Sequence, residues 1–260
     1  MDKVRSADGT EIAYDRSGEG PAVILVSGAT ADRQSHAGLA AELAASFTVL
    51  NYDRRGRGDS TDSPSTAKDA VRREVEDIEA LIGVAGGTAH IMGSSSGGIL
   101  AFEAASAGLP ITKVAMWEPP YAVLEGGVEG HLRYKAEIKD LIEQGRRGDT
   151  AARFLQQVGL PDEMIAGMRQ SPIWPGMEKV APTLFYDAEA IGDGTVPADR
   201  MASLPAAILV LEGTVAWPML HAAAEAVAAV PGVRHQVIEG QDHRFSDEAM
   251  ARALTEFYTG

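Results

Sequence analysis

Apolar residues along the chain follow two different spacings, and the two kinds of segment alternate. Residues 22–26 read A-V-I-L-V, a continuous apolar run that is typical of a strand covered on both faces. Over residues 67–82, apolar side chains such as Val71, Val75 and Ile78 recur every three or four positions, which predicts an amphipathic helix. Alternation of such strands and helices predicts an α/β fold with a mostly parallel sheet that is covered on both sides.

The remaining elements of this fold follow from the same two spacings. Two short antiparallel strands flank the turn at Asp8-Gly9, and strands then alternate with helices. Sheets of this kind carry their sites at the carboxyl ends of the strands. The predicted strands are residues 3–6, 11–14, 22–26, 47–52, 88–92, 111–117, 206–211 and 233–238, and the predicted helices are residues 38–45, 67–82, 99–107, 220–229 and 247–258.

The pattern changes between residues 121 and 204. No clear strand is predicted there, helical spacing is found near residues 131–144 and 151–158, and prolines such as Pro161, Pro172, Pro175 and Pro182 punctuate the rest. We predict that residues 121–204 form a helical cap inserted between two strands. Residues 1–120 and 205–260 are then the parts of the chain that build the sheet.

One turn near the middle of the chain has the composition of a catalytic site. Residues 93–97 read G-S-S-S-G, which fits the pattern G-x-S-x-G between a predicted strand and a predicted helix. In that pattern the central serine occupies the apex of a sharp turn, and the glycines avoid the clashes that a Cβ atom would create. Ser95 is therefore a candidate nucleophile. The free N–H groups at the start of the next helix would face negative charge that develops beside it.

The composition and motifs of the chain argue against several classes of binding partner. The net charge is −14 and no basic stripe is present, which argues against nucleic acid. The absence of cysteine excludes disulfides and thiolate metal sites. Residues 1–4 open without a long apolar core and no later run has membrane-spanning length, so we expect a cytoplasmic protein with no membrane partner. No phosphate-binding glycine loop and no H-E-x-x-H motif occurs, and we expect no nucleotide and no metal.

Three separated segments resemble the α/β-hydrolase superfamily. They read Y-D-R-R-G-R-G-D-S at residues 52–60, G-S-S-S-G-G at residues 93–98 and G-Q-D-H at residues 240–243, and they stand in the order typical of that superfamily. Within it, the segments look like those of the small cofactor-free bacterial esterases, lactonases and perhydrolases. The resemblance implies an α/β-hydrolase fold with an inserted helical cap, and an enzyme without a cofactor.

The resemblance also implies roles for particular residues. Ser95 matches the nucleophile, and His243 matches the general base that takes its proton and later returns it to the leaving group. The N–H groups of Ala29 and Ser96 match the two donors of the oxyanion hole. The loop before Ala29 reads Ser-Gly where the family usually has His-Gly, a change that keeps the backbone donor. Of the other histidines, His90 is expected in a strand and the rest at surface or helix positions: His36, His131, His221 and His235.

The segment that usually carries the third catalytic residue has no carboxylate here. In the family an aspartate follows the strand after the cap, a few residues beyond a glycine, but no acidic residue occurs between Gly213 and Pro218. Glu118 stands at the end of the first strand after the helix that follows Ser95, and it matches the position that the acid takes in other branches of the superfamily. Glu212 is a second candidate, and a triad with no carboxylate is the third. We favour Glu118, because a carboxylate followed by two prolines would be held rigidly.

Two further expectations concern the charged loop and the substrate. We interpret residues 53–60 as a loop held by local ion pairs, because no helix N-terminus follows to bind phosphate. Large aromatic residues near the cap and the strand ends indicate a small apolar or aromatic substrate. The candidate substrate-binding residues are Trp117, Tyr121, Trp174, Tyr186 and Trp217.

These observations lead to a main hypothesis and two alternatives. The main one is a serine hydrolase that acts on carboxylic esters, lactones or thioesters through an acyl-enzyme. The first alternative is perhydrolysis or a non-hydrolytic reaction of small-molecule biosynthesis at the same site. The second is a binding protein with a hydrolase fold, which the missing aspartate suggests and the pair Ser95 and His243 argues against. A homodimer is compatible with the sequence.

Overall fold

The protein is built around one eight-stranded sheet. The structure, a computed structural model, describes residues 1–63, 66–122 and 126–260. The strands are β1 (Asp2–Arg5), β2 (Glu11–Ser17), β3 (Ala22–Val26), β4 (Thr48–Tyr52), β5 (Ala89–Ser94), β6 (Ile111–Trp117), β7 (Ala207–Gly213) and β8 (Val233–Ile238). They lie in the order β1-β2-β4-β3-β5-β6-β7-β8. The pairs β1–β2 and β2–β4 are antiparallel, and the five pairs from β4–β3 to β7–β8 are parallel. This topology confirms the predicted fold class.

Helices follow the strands in the alternation that the sequence predicts. They are α1 (Ala37–Leu43), α2 (Ala70–Ala85), α3 (Ser96–Ser106), α4 (Gly127–Glu143), α5 (Arg147–Gln157), α6 (Asp162–Arg169), α7 (Trp174–Val180), α8 (Leu184–Ile191), α9 (Ala198–Ala202), α10 (Pro218–Ala228) and α11 (Asp247–Thr259). Short 3₁₀ helices occupy Arg33–His36, Thr66–Lys68 and Ala181–Thr183. No helix within the described ranges is both long and apolar enough to cross a membrane.

The central part of the sheet is buried on both faces, as the apolar run of β3 predicts, whereas the outer strands β1 and β8 are partly exposed. Ile24 and Val26 pack in one apolar cluster with α2, α3 and α10, while Val23 and Leu25 pack in a second cluster with α1 and α11. Successive side chains of a strand point to opposite faces, so a strand between two helical layers must be apolar at every position. The two layers bring the carboxyl ends of β3, β5, β6 and β7 to one edge of the sheet.

The connection between β6 and β7 is the segment for which the sequence predicts a helical cap. Its described residues form α4 to α9 and one 3₁₀ turn, and they contain no strand. These helices share a third apolar cluster that includes Tyr134, Ile138, Leu155 and Phe185. Most of these short helices were not predicted individually. Pro161 is the N-cap of α6, and Pro175 and Pro182 are the second residues of α7 and of the 3₁₀ helix at 181–183. A missing N–H costs little in the first turn, so these prolines start helices instead of interrupting them.

Candidate active site

Ser95 lies at the apex of a sharp turn between β5 and α3, the elbow, which comprises residues 93–97. Its backbone has φ 54° and ψ −127°, a conformation that L-residues rarely adopt. The turn closes only because its neighbours are small: a Cβ atom at Gly93 would collide with the Gly97 carbonyl, and one at Gly97 would collide with the Val26 carbonyl. Strain of this kind persists only where the surrounding structure imposes it, and it is frequent at active sites. The G-x-S-x-G pattern therefore has the local structure that the sequence predicts for it.

His243 is held by a buried glutamate. Its Nδ1 lies 2.5 Å from Glu118 Oε2, and the Glu118 side chain is fully buried. A carboxylate only accepts hydrogen bonds, so Nδ1 is the donor in this contact. The Trp217 ring stacks on the imidazole with 5.6 Å between centroids, and the Trp117 indole donates to the His243 carbonyl at 3.1 Å. Both contacts restrict the orientation of the ring.

The backbone around Glu118 explains why this carboxylate is rigid. Glu118 has φ 44°, its N–H donates to the Leu211 carbonyl, and its Oε1 accepts from the Gly213 N–H at 3.1 Å. Within the described residues, the non-glycine residues with positive φ are Glu118, Ser95 and Thr30. Each follows the carboxyl end of a neighbouring strand in the central part of the sheet, β6, β5 and β3 respectively. Backbone strain is thus concentrated at one edge, the edge that holds the candidate site.

Glu212, the second candidate acid, has different partners. Its Oε2 lies 2.6 Å from His221 Nδ1, and its Oε1 lies 2.8 Å from His235 Nε2. Both carboxylate oxygens are therefore occupied by imidazoles other than His243. Glu212 precedes Gly213 on β7 and is buried between α10 and β8, so the geometry separates it from the pair formed by His243 and Glu118.

The loop after β3 lies against the elbow. A Cβ atom at Gly28 would lie 3.0 Å from the Ser94 carbonyl oxygen and 3.1 Å from the Ser95 Cβ atom, so only glycine allows this approach without displacement. Ala29 follows Gly28 and lines the same cavity as Ser95 and Ser96. Neither the Ala29 N–H nor the Ser96 N–H donates to any residue in the described part of the chain. Two free backbone donors therefore belong to the segments that meet at Ser95.

A cavity of about 1090 Å³ lies between the sheet edge and the helices of the cap. Ser95 and His243 both line it, although no hydrogen bond joins these two residues. Bonds between catalytic groups are often long before substrate binds. The cap contributes several apolar residues to the wall, namely Tyr134, Phe154, Leu155, Val158, Leu160 and Ile191, and the loops at the sheet edge add Trp217, Met219 and Phe245.

Only some of the aromatic residues that were expected to bind substrate line the cavity. Tyr121 and Trp217 line the cavity. Trp117 is fully buried beneath the His243 loop, and Trp174 lies in the apolar cluster of the cap. The Tyr186 hydroxyl donates to Asp62 at 2.9 Å, away from the cavity wall. A pattern of large aromatic residues near strand ends does not separate residues that face a cavity from residues that support one.

His36 is close to the elbow, which the sequence did not indicate. It is buried, it lines the cavity, and its Nε2 lies 3.1 Å from the Ser94 hydroxyl. Burial lowers the pKa of His36 to about 4, so the ring is neutral at neutral pH. His36 ends the 3₁₀ helix Arg33–His36 and His131 lies on α4, so both occupy helix positions as expected, but both are buried at the cavity wall and not at the surface.

The charged loop of residues 53–60 is held by ion pairs that are not local. Arg54, Arg55 and Arg57 are fully buried, although arginine is rarely so. Arg54 binds Glu74 on α2 and Asp187 on α8, which are 20 and 133 residues away in the sequence. The expectation of local pairing was therefore wrong, because the loop crosses the interface between the sheet and the cap.

Within the described residues, no group of three or more histidine and carboxylate side chains is placed to hold a metal ion. The acidic and imidazole groups at the sheet edge are instead paired with one another, as in Glu118 with His243.

Comparison with known proteins agrees with this fold. The model of the alpha/beta hydrolase family matches residues 23–256. A solved alpha/beta hydrolase from Sphaerobacter thermophilus is 43% identical, with a TM-score of 0.86 over 99% of this chain and 100% of that chain. A thermophilic esterase from Thermogutta terrifontis is 23% identical, with a TM-score of 0.74 over 99% and 97% of the two chains, a likeness in fold.

A curated relative is similar over a shorter stretch. The uncharacterized hydrolase YraK of Bacillus subtilis is 31% identical over 96 residues, which cover 36% of this chain and 35% of that protein. The match thus spans about a third of the relative's length. The family model and the hydrolase from Sphaerobacter thermophilus extend over nearly the whole chain and support hydrolase activity. This chain belongs to the alpha/beta hydrolase family.

Proposed function

We propose that this protein is a serine hydrolase that cleaves a carboxylic ester, lactone or thioester of a small apolar or aromatic substrate. One observation carries the proposal. Ser95, at a strained elbow, lines the same cavity as His243, whose Nδ1 lies 2.5 Å from the buried Glu118 carboxylate. Nucleophile, base and orienting acid are the three parts that acyl transfer through serine requires.

The proposed reaction follows from the hydrogen-bonding capacity of each group. Ser95 Oγ attacks the substrate carbonyl carbon while its proton passes to His243 Nε2, and Glu118 stabilises the imidazolium that results. The N–H groups of Ala29 and Ser96 donate to the oxyanion. His243 then protonates the leaving oxygen or sulfur, and an acyl-enzyme remains. Water, activated by the same imidazole, releases the acid and restores Ser95.

The substrate class rests on the cavity wall. The cap contributes Tyr134, Phe154, Leu155, Leu160 and Ile191, which favour an apolar or aromatic group over a charged one. The esterase from Thermogutta terrifontis has the same fold, and its activity agrees with the proposed bond type. The cavity volume of about 1090 Å³ is slightly above the range of about 300–1,000 Å³ that is usual for small-molecule sites.

A fluorophosphonate probe tests the nucleophile. We expect the wild type to be labelled and Ser95→Ala to remain unlabelled. Ser94→Ala is the control and should still be labelled, because Ser94 is adjacent to Ser95 but lies within β5. Mass spectrometry of the labelled peptide identifies the modified serine. Labelling of Ser95→Ala, or none in the wild type while ligands still bind, would contradict the proposal, the latter in favour of a binding protein. Turnover of p-nitrophenyl acetate, butyrate and phenylacetate then tests the substrate class.

A further inference from the structure

A network of four buried charged residues lies directly behind the loops that meet at Ser95. Asp187 on α8 accepts hydrogen bonds from Arg54 Nη1 at 2.6 Å and from Arg57 Nη2 at 2.7 Å. Glu74 accepts two more from Arg54, at 2.7 and 2.8 Å. Two guanidinium groups thus face two carboxylates. Burial opposes ionisation of Asp187, but the charges of Arg54 and Arg57 outweigh it and hold the pKa of this carboxyl below its usual value.

The two arginines also bind the backbone of the loop after β3. Arg57 Nη1 donates to the Gly28 carbonyl oxygen at 2.6 Å, and Arg54 Nη1 donates to the Ser27 carbonyl oxygen at 3.2 Å. A bond between a guanidinium and a neutral carbonyl is charge-assisted, and the Gly28 bond is short even for that class. A buried cation thus holds the carbonyl directly before Ala29.

The Gly28 carbonyl and the Ala29 N–H belong to a single peptide unit. That unit is planar and trans, so the direction of the carbonyl determines the direction of the N–H on the opposite side. The guanidinium also draws electron density from the amide, which strengthens the N–H as a donor. Arg57 therefore sets both the direction and the strength of the Ala29 N–H, the donor that the proposed function assigns to the oxyanion.

Asp187 reaches the second proposed donor as well. The Ser96 hydroxyl donates to Asp187 Oδ1 at 2.7 Å, the same oxygen that accepts from Arg54. This bond fixes the side chain of Ser96, whose N–H is the other donor. A single carboxylate from the cap is thus connected to both sides of the oxyanion hole: through Arg57 and Gly28 to Ala29, and directly to Ser96.

We propose that Arg57 is a positioning residue for the oxyanion hole, and that Asp187 on α8 links the hole to the cap. The inference rests on the proposed function, and it assigns a task to the charged loop that the sequence pattern alone left as a structural element. It implies that α8 stays fixed to the sheet during turnover, because displacement of Asp187 would release both donors at once.

The test compares two buried arginines in the same loop. Arg57→Lys keeps the charge but shortens and narrows the donor group, so it cannot hold Asp187 and Gly28 together. Arg55→Lys is the matched control, because Arg55 is equally buried and binds Asp8 and Asp77 without contacting residues 27–29. For Arg57→Lys we expect kcat with p-nitrophenyl acetate to fall roughly 10- to 100-fold at a KM within about twofold. For Arg55→Lys we expect kcat within about threefold of wild type, whatever its loss of thermal stability.

A transition-state analogue separates positioning from a general structural effect. A phenylethyl trifluoromethyl ketone accepts the Ser95 oxygen at its carbonyl carbon, the serine proton passes to His243, and the ketone oxygen becomes an oxyanion. The matching methyl ketone binds without this step. The ratio of the two inhibition constants therefore reports on the oxyanion hole, and we expect Arg57→Lys to lose roughly 10- to 100-fold of that ratio. Arg55→Lys is expected to keep it.

Each outcome decides between the two proposals. A folded Arg57→Lys enzyme with wild-type kcat and an unchanged ratio overturns the inference and leaves the proposed function intact. A wild type that fails to react with fluorophosphonate overturns the proposed function and the inference together. If Arg57→Lys does not fold, Ser96→Ala decides, since it removes only the hydroxyl bond to Asp187: a reduced kcat and ratio support the inference, and unchanged values overturn it.

Discussion

His243 Nδ1 lies 2.5 Å from Glu118 Oε2, although 125 residues separate the two in sequence and β7 lies between the strands that they follow, β8 and β6. Glu118 is fully buried and has φ 44°, so its carboxylate cannot turn away from the ring. We predict that Glu118→Gln lowers kcat for p-nitrophenyl acetate by about 10³- to 10⁴-fold, because an amide in this position favours the wrong tautomer of the imidazole. The measurement is steady-state kinetics, with circular dichroism to verify the fold.

Glu212→Gln is the matched control for this prediction. Glu212 is as deeply buried as Glu118 and binds two histidines, but neither is His243. We expect the variant to lose stability and to keep kcat within about threefold of wild type. If Glu212→Gln is inactive and Glu118→Gln turns over normally, the acid has been assigned to the wrong residue.

The fold was largely predictable because its pattern is local. The apolar run of β3 and the spacing along α2 each occur within one segment, and the elbow needs only the residues from Gly93 to Gly97. Glu118 could also be predicted from the sequence, since a carboxylate side chain at the end of a buried strand has few orientations open to it. Each of these signals depends on residues that are neighbours in sequence.

The parts that were missed depend on contacts between distant segments. Asp187 contacts Arg54 across 133 residues, and His36 contacts Ser94 across 58 residues. Neither pair leaves a periodic pattern, because each residue lies in a segment whose own spacing is explained by packing. Whether Trp217 or Trp174 faces the cavity likewise depends on how the cap sits on the sheet, which spacing along the chain does not encode.

The crowding at the elbow predicts a large difference between two glycine substitutions. Gly93→Ala would bring a Cβ atom into the Gly97 carbonyl, which is backbone and cannot rotate away. We expect it to lower the free energy of unfolding by about 1–3 kcal/mol or more. Gly83→Ala, in the exposed part of α2 with no atom within 4 Å of the new Cβ, is expected to raise it by about 0.5–1 kcal/mol.

Urea denaturation of the two alanine variants checks this prediction. A Gly93→Ala protein as stable as wild type would mean that the turn has a more open conformation than the one described here. Activity is a second measure, because relaxation of the turn would move Ser95 away from the loop at Gly28. These two residues are so close that a Cβ atom added to Gly28 would lie 3.1 Å from the Ser95 Cβ. The Gly83→Ala variant is expected to keep full activity.

The buried His36 predicts a loss of stability in mild acid. Burial lowers its pKa from an ordinary value of 6.5 to about 4 in the folded protein. Below pH 6.5 the unfolded chain therefore binds a proton that the folded chain does not, so stability falls as the pH decreases from about 6.5 to 4. The contribution of this one group is about 3 kcal/mol across that window.

Comparison with His36→Gln isolates this contribution, since glutamine does not titrate and retains a polar group near Ser94. The unfolding free energy of the wild type minus that of the variant should be constant above pH 7 and should decrease toward pH 4. Parallel pH profiles of stability for the two proteins would show that the pKa of His36 is the same in the folded and unfolded states and would contradict this prediction.

Trp217 provides a spectroscopic signal for the candidate site. Of the three tryptophans, Trp117 and Trp174 are buried, while Trp217 is 43% exposed and stacks on the His243 ring. A phosphonyl group bearing an aromatic substituent on Ser95 would occupy the cavity that Trp217 lines and would shield its indole from water. We predict a shift of the emission maximum to shorter wavelength on phosphonylation. The shift should be absent in Trp217→Phe and present in Trp174→Phe, because Trp174 lies in the apolar cluster of the cap. A shift that survives in Trp217→Phe would instead indicate that the cap repacks around Trp174 when Ser95 is modified.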